Sequence, residues 1–333
     1  MLFTVAFSIT YIFSQSTQKE KADVKLACRN IIDKLELQPE DVVILVYSKG
    51  MVKFTNELNS ELCRQNVAVT QFHPWSSIDS LKILSTLINE KADNHSFIFL
   101  ISPNDAPFLF QFAGRPDMGL KIPDQRLFCN WLMPEDQCIR LYSIDPNENK
   151  TFQEKLRNLL NTEDSVHITT RAGTDITFTA RNWITDKGEI YCTPVERKTN
   201  GVVVVDGCAY WGAPSKPLML KISHGKVTNI ESLSLKDIQE KMIRTDLTKD
   251  VNDSILCEVG IGTNQNALWN KDIMESEQAR ETCHFGFGMN LNYGGKINSV
   301  NHFDLVVLQP TIIINQTTVY KDGVFIGHNN ARN

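Results

Sequence analysis

Residues 41–47 read DVVILVY, an unbroken apolar run of strand length, and what surrounds it decides the first half of the chain. FTNELNSELCRQN (54–66) then carries helical composition, VAVTQFH (67–73) a second strand, SIDSLKILSTLINEKA (77–92) a second helix and SFIFLIS (96–102) a third strand. Strands apolar along their whole length, in βαβαβ order, imply a parallel sheet covered on both faces. The pattern predicts one more strand at CIRLYSI (138–144) and a closing helix at NKTFQEKLRNLLN (149–161). Upstream, LFTVAFSITYIF (2–13) lacks the basic flank and cleavage site of a secretory signal and is too short to span a bilayer. A buried first strand or helix is expected there.

From about residue 165 the pattern changes to short strands separated by turn residues. HITTRAGTDITFTAR, GEIYCTP, GVVVVDG, LMLKISHGKV and TIIINQTTVYKDG are β-type, punctuated by His-Gly and Asp-Gly, with LKDIQEKMIRTDL (235–247) as the clear helix. The fold class expected is α/β plus α+β: an N-terminal α/β parallel-sheet domain over 1–163, then a β-rich metal-binding domain over 164–333. A length of 333 residues agrees with two domains, because single cores rarely grow beyond about 250–300.

A net charge of −5, without a dense Lys/Arg run, excludes a nucleic-acid partner. Eight cysteines without a C-x-x-C pair read as reduced, mostly buried thiols. Nothing reaches transmembrane length, so a cytoplasmic protein with no membrane partner is expected. The exposed strand edges of the β-rich half predict a homodimer. G-x-G-x-x-G between strand and helix, G-x-S-x-G, a Walker sequence and H-E-x-x-H are all absent, which removes dinucleotide enzymes, serine hydrolases, P-loop enzymes and zincins.

Chemistry concentrates in the second half. NHFD places His302 and Asp304 two residues apart, hence on one face of an extended strand. ETCHFGFG supplies His284 just before the Gly-rich loop MNLNYGG, ILCEVGIGTN supplies Glu258 and GEIYCTP supplies Glu189. An acid or imidazole on an otherwise apolar strand is expensive to bury unless it is paired or metal-bound. Each residue alone has an ordinary explanation, such as an ion pair of Glu258 with Arg171 or Arg181. Together they point to one or two divalent ions, Zn, Co or Mn, or Fe(II) at a mononuclear oxygen-using centre. His73 and His167 lie near strand ends, Asp175 could orient a ligand imidazole, and Trp183 and Trp211 could pack in the core or line a pocket.

In AGTDITFTARNW, GEIYCTP, NGVVVVDG, CEVGIGTNQNA, HFGFGMNLNYGG and NHFDLVVLQPTIIINQTTVYKDG, all in order, the chain resembles the aminopeptidase T-like metallopeptidases and their relatives, the 2,5-dihydroxypyridine dioxygenases. The resemblance runs from about 172 to 323. It implies that Glu189 and Glu258 are the acidic ligands, His284 the first imidazole, and His302 with Asp304 the closing H-x-D. It also implies a tyrosine seven residues after the first His, where this chain has Leu291; Tyr293, two residues on, can replace it only if the loop is re-routed. The leading expectation is a metal-dependent hydrolase of aminopeptidase type acting on a peptide or peptide-like small molecule, with Glu189 or Glu258 as general base. The alternatives are a mononuclear non-haem Fe(II) ring-cleaving dioxygenase, in which Glu258 or His284 completes the set of His302 and Asp304, and a catalytically silent peptide-binding homologue.

Overall fold

The structure, a computed structural model, describes residues 23–38, 40–73, 78–91, 95–102, 122, 126–130, 133–186, 188–209, 212–231, 237–270 and 272–327. The apolar stretch 2–13 and Trp211 lie outside the described residues. The chain divides into two compact units, Met1–Asp145 and Pro146–Asn333.

The first unit holds a parallel sheet of β1 (Val42–Tyr47), β2 (Ala68–Phe72), β3 (His95–Leu100) and β4 (Leu127–Cys129), in the order β2-β1-β3-β4. Among the described residues it is accompanied by helices α1 (Val24–Lys34), α2 (Val52–Arg64), α3 (Ile78–Lys91) and α4 (Glu135–Tyr142). Asp23 starts α1 by accepting from the backbone N–H groups of Lys25 and Leu26. In the two central strands the residues of both faces are buried: Ile44, Val46, Phe97 and Phe99 pack with Leu84 and Ile88 of α3, while Val43, Leu45, Ile98 and Leu100 fill the other side. This is the doubly covered sheet that unalternating apolar strands require.

CIRLYSI does not form the expected strand. It lies largely in α4, where Cys138 and Leu141 recur at helical spacing on the buried side. Pro134 precedes the helix and Glu135 and Asp136 occupy its first turn, which is start chemistry that outweighs the apolar run. The helix expected over 149–161 forms as α5 (Pro146–Arg157), but it falls in the second unit, ahead of the division expected near 163. Its apolar face explains this: Leu156, with Phe152, Leu159 and Leu160, packs into the β-rich core.

The second unit is built on antiparallel strands β5 (Ser165–Thr169), β6 (Asp175–Thr185), β7 (Glu189–Pro194), β8 (Asn200–Val205), β9 (Leu218–Ser223), β10 (Lys226–Glu231), β11 (Leu256–Gly262), β12 (Thr282–Gly288), β13 (His302–Leu308), β14 (Thr311–Ile314), β15 (Thr317–Lys321) and β16 (Val324–Phe325). The path β13-β12-β11-β7-β6-β5-β14-β15-β16 forms one sheet, and β8, β9 and β10 branch from β6. Hairpins follow the turn chemistry: His224 (φ 49°) and Gly225 (φ 78°) join β9 to β10 in the left-handed conformation a two-residue hairpin demands. Helix α6 (Ile238–Asp246) forms where the sequence predicts it. Among the described residues no helix is long and apolar enough to cross a membrane. All eight cysteines are free, and seven are buried.

Four strands matter most. In β7, β11, β12 and β13 one alternate set, Ile190, Cys192, Val259, Ile261, Cys283, Phe285, Phe287, Phe303 and Leu305, enters the hydrophobic core. Burial of each such aliphatic or aromatic side chain contributes about 1.5–3 kcal/mol, so the register of these strands is strongly fixed. The opposite set is then Glu189 and Tyr191 on β7, Glu258, Gly260 and Gly262 on β11, His284, Gly286 and Gly288 on β12, and His302 and Asp304 on β13. Core packing on one face thereby places every acid and imidazole of these strands on the other.

Candidate metal centre

The pairing register brings the five residues together. Gly262 lies opposite Glu189, Gly260 opposite His284, Glu258 opposite Gly286, Gly286 opposite Asp304 and Gly288 opposite His302. A bulge between Leu256 and Glu258 sets this register on the β11–β12 side. His284 Nε2 lies 3.2 Å from Glu189 Oε2 and 3.6 Å from Glu258 Oε1. His302 Nε2 lies 3.4 Å from Glu258 Oε2 and 3.5 Å from Asp304 Oδ2. Two triads result, Glu189–Glu258–His284 and Glu258–His302–Asp304, each offering ligand atoms within 4.8 Å of one another. Glu258 belongs to both.

These contacts are long for charge-assisted hydrogen bonds, which run about 2.7–2.9 Å. They match the separation of two ligands on one tetrahedral cation, about 3.3 Å for bonds of about 2.0–2.1 Å. Glu189 Oε2, Asp304 Oδ1 and His284 Nδ1 are buried and lack a hydrogen-bond partner among the described residues. Buried carboxylate oxygens are rarely left so, and acid and imidazole donors of this kind suit a borderline divalent cation. The residues fit a metal. His302 is oriented from behind: its Nδ1 lies 2.7 Å from the Met289 carbonyl oxygen and 3.5 Å from Cys257 Sγ. The Nδ1–H donated to that carbonyl leaves the Nε2 lone pair facing the carboxylates.

Electrostatics follow from crowding acids in a buried place. Burial pushes the Glu189 carboxyl up, His284 opposes this, and Glu258 and Asp304 reinforce it, so the group reaches about 8. Burial works against a charged His284, but Glu189, Glu258 and Asp304 outweigh it and raise the imidazole to about 10. His302 also stands well above its ordinary value, because Asp304 overcomes the desolvation. Asp304 shows the converse: burial opposes its charge, yet the two imidazoles hold it below the usual carboxylate range. The cluster without metal is thus a store of protons.

The glycines of these strands are slots, a role that the sequence does not announce. A Cβ on Gly260 would lie 2.0 Å from His284 Cε1 and 2.2 Å from Nε2. A Cβ on Gly286 would meet Asp304 Oδ1 and Glu258 Cβ at 2.8 Å. Gly260→Ala is therefore expected to displace the His284 ring, which lies against Glu258, and to weaken divalent-metal affinity by about 10–100-fold, the scale set by disturbing a group that orients a ligand. A Mn²⁺ or Zn²⁺ titration of the purified variant reads this directly, and unchanged affinity would remove His284 from the site.

Glu277 is a further acid absent from the sequence reading. It follows the short helix α7 (Ile273–Ser276), and burial together with the charges of Glu189 and Asp304 drives its carboxyl well above the ordinary range. Its segment is fixed over the strands, with the Gln278 side chain filling the space above Gly188 and the Gln278 carbonyl accepting from Asn264. The only signal in the sequence was an acid seven residues before His284, off any strand.

Other candidates fall elsewhere. Asp175 does not support a ligand imidazole; its Oδ1 lies 2.8 Å from Nε2 of His167 on an exposed part of the β5–β6 pair. His73 stacks on Tyr47, its Nδ1 2.8 Å from the Tyr47 carbonyl oxygen, and Trp183 is in the core. Arg171 pairs with Asp322 and Arg181 with Glu196, so neither is the ion-pair partner of Glu258. Leu291 is 49% exposed, whereas the Tyr293 ring centroid lies 5.0 Å from that of His302. Tyr293, and not Leu291, is thus the residue of this turn that lies beside the cluster.

Fold and site together define a two-unit protein whose antiparallel sheet carries a buried acid–imidazole cluster able to hold a divalent cation. The chain belongs to the 2,5-dihydroxypyridine 5,6-dioxygenase (NicX) family, whose sequence model matches residues 131–327. Among solved structures it is similar to 2,5-dihydroxypyridine dioxygenase from Pseudomonas putida KT2440, with TM-score 0.63, 15% identity and coverage of 92% of this chain and 97% of that one. It is also similar to wild-type AmpT from Thermus thermophilus, with TM-score 0.62, 14% identity and coverage of 91% and 98%. At such identities these two likenesses establish the fold. The comparison with curated proteins gave no match. The family match favours the dioxygenase branch of the expected resemblance over the hydrolase.

Proposed function

We propose that the protein is a ring-opening dioxygenase that acts on a small dihydroxylated heteroaromatic ring of the 2,5-dihydroxypyridine type, with one Fe(II) held by Glu258, His302 and Asp304. The observation that carries this reading is the family match over 131–327, which spans every residue of the centre. The geometry supports it further, because the compact group containing His302 and Asp304 is completed by Glu258 rather than by His284. Bound iron would relay electrons from the ring, which is the reductant, to O₂, and would offer the open coordination positions that this chemistry needs.

The chain's own residues have defined tasks. Met289 fixes the His302 ring through Nδ1, so that Nε2 keeps one direction. Asp304 and Glu258 offset the positive charge of the ion in a buried site, where electrostatic interactions are strong. Glu189 and His284, 3.2 Å apart and outside the iron-holding triad, form the pair that receives a substrate hydroxyl proton at Glu189 Oε2. A ring bound as its anion is more readily oxidised than the neutral form.

Anaerobic loading with Fe(II), addition of 2,5-dihydroxypyridine and admission of air to an oxygen electrode test the reading. One mole of O₂ consumed per mole of ring absorbance lost is expected. No oxygen uptake, together with release of an N-terminal residue from peptides by the Co²⁺- or Mn²⁺-loaded protein, would replace the proposal with a dinuclear hydrolase. One observation keeps that second reading in view: Glu258 is shared by both triads, as a carboxylate bridging two cations would be.

A further inference from the structure

A strip of aromatic rings runs along one side of the metal centre, and nothing in the ligand set requires it. Tyr191 shares the β7 face with Glu189 and lies opposite Gly260 in the β7–β11 register. Tyr293 comes from the turn Leu291–Tyr293 between β12 and β13. Its ring meets Tyr191 edge to face, with centroids 5.7 Å apart and planes at 87°, and continues to His302 at 5.0 Å with a tilt of 48°. The order along the strip is Tyr191, Tyr293, His302.

The turn that delivers Tyr293 is built, not incidental. Asn290 is fully buried; its Oδ1 accepts from the Ile297 N–H at 2.8 Å and its Nδ2 donates to the Cys257 carbonyl at 3.0 Å. The Asn290 carbonyl accepts from the N–H groups of Tyr293 and Gly295. A side chain at Gly295 would occupy the space of the Asn290 amide, which lies 2.1 Å from its ideal Cβ. One buried amide thus clamps both ends of the loop and ties it to the strand that carries Glu258. A long ring on a rigid turn loses little entropy when a ligand settles on it.

Both tyrosines are partly exposed, and neither hydroxyl is hydrogen-bonded among the described residues. A tyrosine phenol is a hydrogen-bond donor at neutral pH. An aromatic face ending in hydroxyl donors, beside metal ligands, complements a flat ring with oxygens at its rim. An extended peptide offers no such plane.

We propose that Tyr293, backed by Tyr191, is the specificity-determining surface on which a planar oxygenated ring lies while its oxygens face the metal centre. The proposal rests on the ring-opening reading above and deepens it by assigning the residues that select a ring. The test measures binding without turnover. Anaerobic difference spectra of the metal-loaded protein give the Kd for 2,5-dihydroxypyridine and, in parallel, for acetohydroxamate, a metal chelator without a ring. Tyr293→Leu is expected to weaken the dihydroxypyridine about tenfold, the scale of one good aromatic contact, and to leave acetohydroxamate unchanged. Tyr293→Phe should retain most of the ring affinity, and Tyr191→Leu should lose a smaller part.

Equal weakening of both probes by Tyr293→Leu would make the residue a support of the metal site and overturn the proposal. Unchanged affinity for both would overturn it also. Failure of the wild-type protein to bind 2,5-dihydroxypyridine while it binds acetohydroxamate would sink the ring-opening reading itself, a result distinct from the other two. Metal content and thermal midpoint of each variant, measured on the same samples, separate lost folding from lost recognition.

Discussion

Glu258→Gln is expected to lose its divalent cation on dialysis, with metal affinity falling by more than about 100-fold. Removing an outer partner of a ligand costs about 10–100-fold, and Glu258 is the residue that both triads share. Its two oxygens face different imidazoles, Oε1 toward His284 and Oε2 toward His302. Glutamine keeps the volume and one acceptor, so the β11–β12 pairing and the core behind it should survive. What it removes is half of the bidentate acceptor and the charge that holds two imidazoles in one place. Mass-spectrometric metal analysis after dialysis reads the result, with circular dichroism to verify the fold. Wild-type occupancy in the variant would show that Glu258 is paired with protein rather than with metal.

The same measurement on Glu189→Gln distinguishes the number of ions. In a one-iron centre on Glu258, His302 and Asp304, Glu189 is not a ligand, and its substitution leaves the metal content at one while slowing turnover. In a two-metal centre the content falls from two to one. The difference arises because Glu189 appears in one triad alone. The two variants together therefore report stoichiometry without any assumption about substrate.

How much of this was legible in the sequence depends on which kind of information each element carries. DVVILVY and SFIFLIS declared a doubly covered parallel sheet because a strand buried on both faces has no other way to read. CIRLYSI looked equally apolar, but the decisive signal was Pro134-Glu135-Asp136 just before it, a helix start that an apolar count ignores. The five acid and imidazole positions were legible because a charge on a strand whose alternate residues are Val, Ile and Phe has to be accounted for. Gly260 and Gly286 were not, since a glycine says only that room is needed and never for what; the answer, the ring of His284 and the carboxylate of Asp304, lies across the sheet. Glu277 was silent for the complementary reason, because its proximity comes from how α7 folds back rather than from any strand period. Tyr293 needed the Asn290 clamp before its position could be known.

Metal binding at this centre is expected to expel protons, and its strength to climb steeply with pH. His284 is raised from an ordinary 6.5 to about 10 and Glu189 from 4.5 to about 8 in the metal-free protein. Both groups bind protons more tightly folded than unfolded. For His284 the stabilisation is fully present below 6.5 and fades as pH rises through 10; for Glu189, destabilisation grows as pH rises from 4.5 to 8. The two effects share a sign, so the metal-free protein becomes less stable across the neutral and mildly alkaline range. A cation needs its ligand His302 deprotonated, and its charge beside Glu189 and His284 lowers both of these groups and drives off their protons, so affinity rises about tenfold per pH unit for each proton released. The shift in thermal midpoint on adding Mn²⁺ or Zn²⁺ should therefore widen from pH 6 to pH 8.5. Calorimetry in buffers of different ionisation enthalpy should count about one to two protons released per ion in that range. Affinity independent of pH with no proton release would mean that the cation does not bind among these imidazole and carboxyl groups, and the metal centre would have to be sought elsewhere.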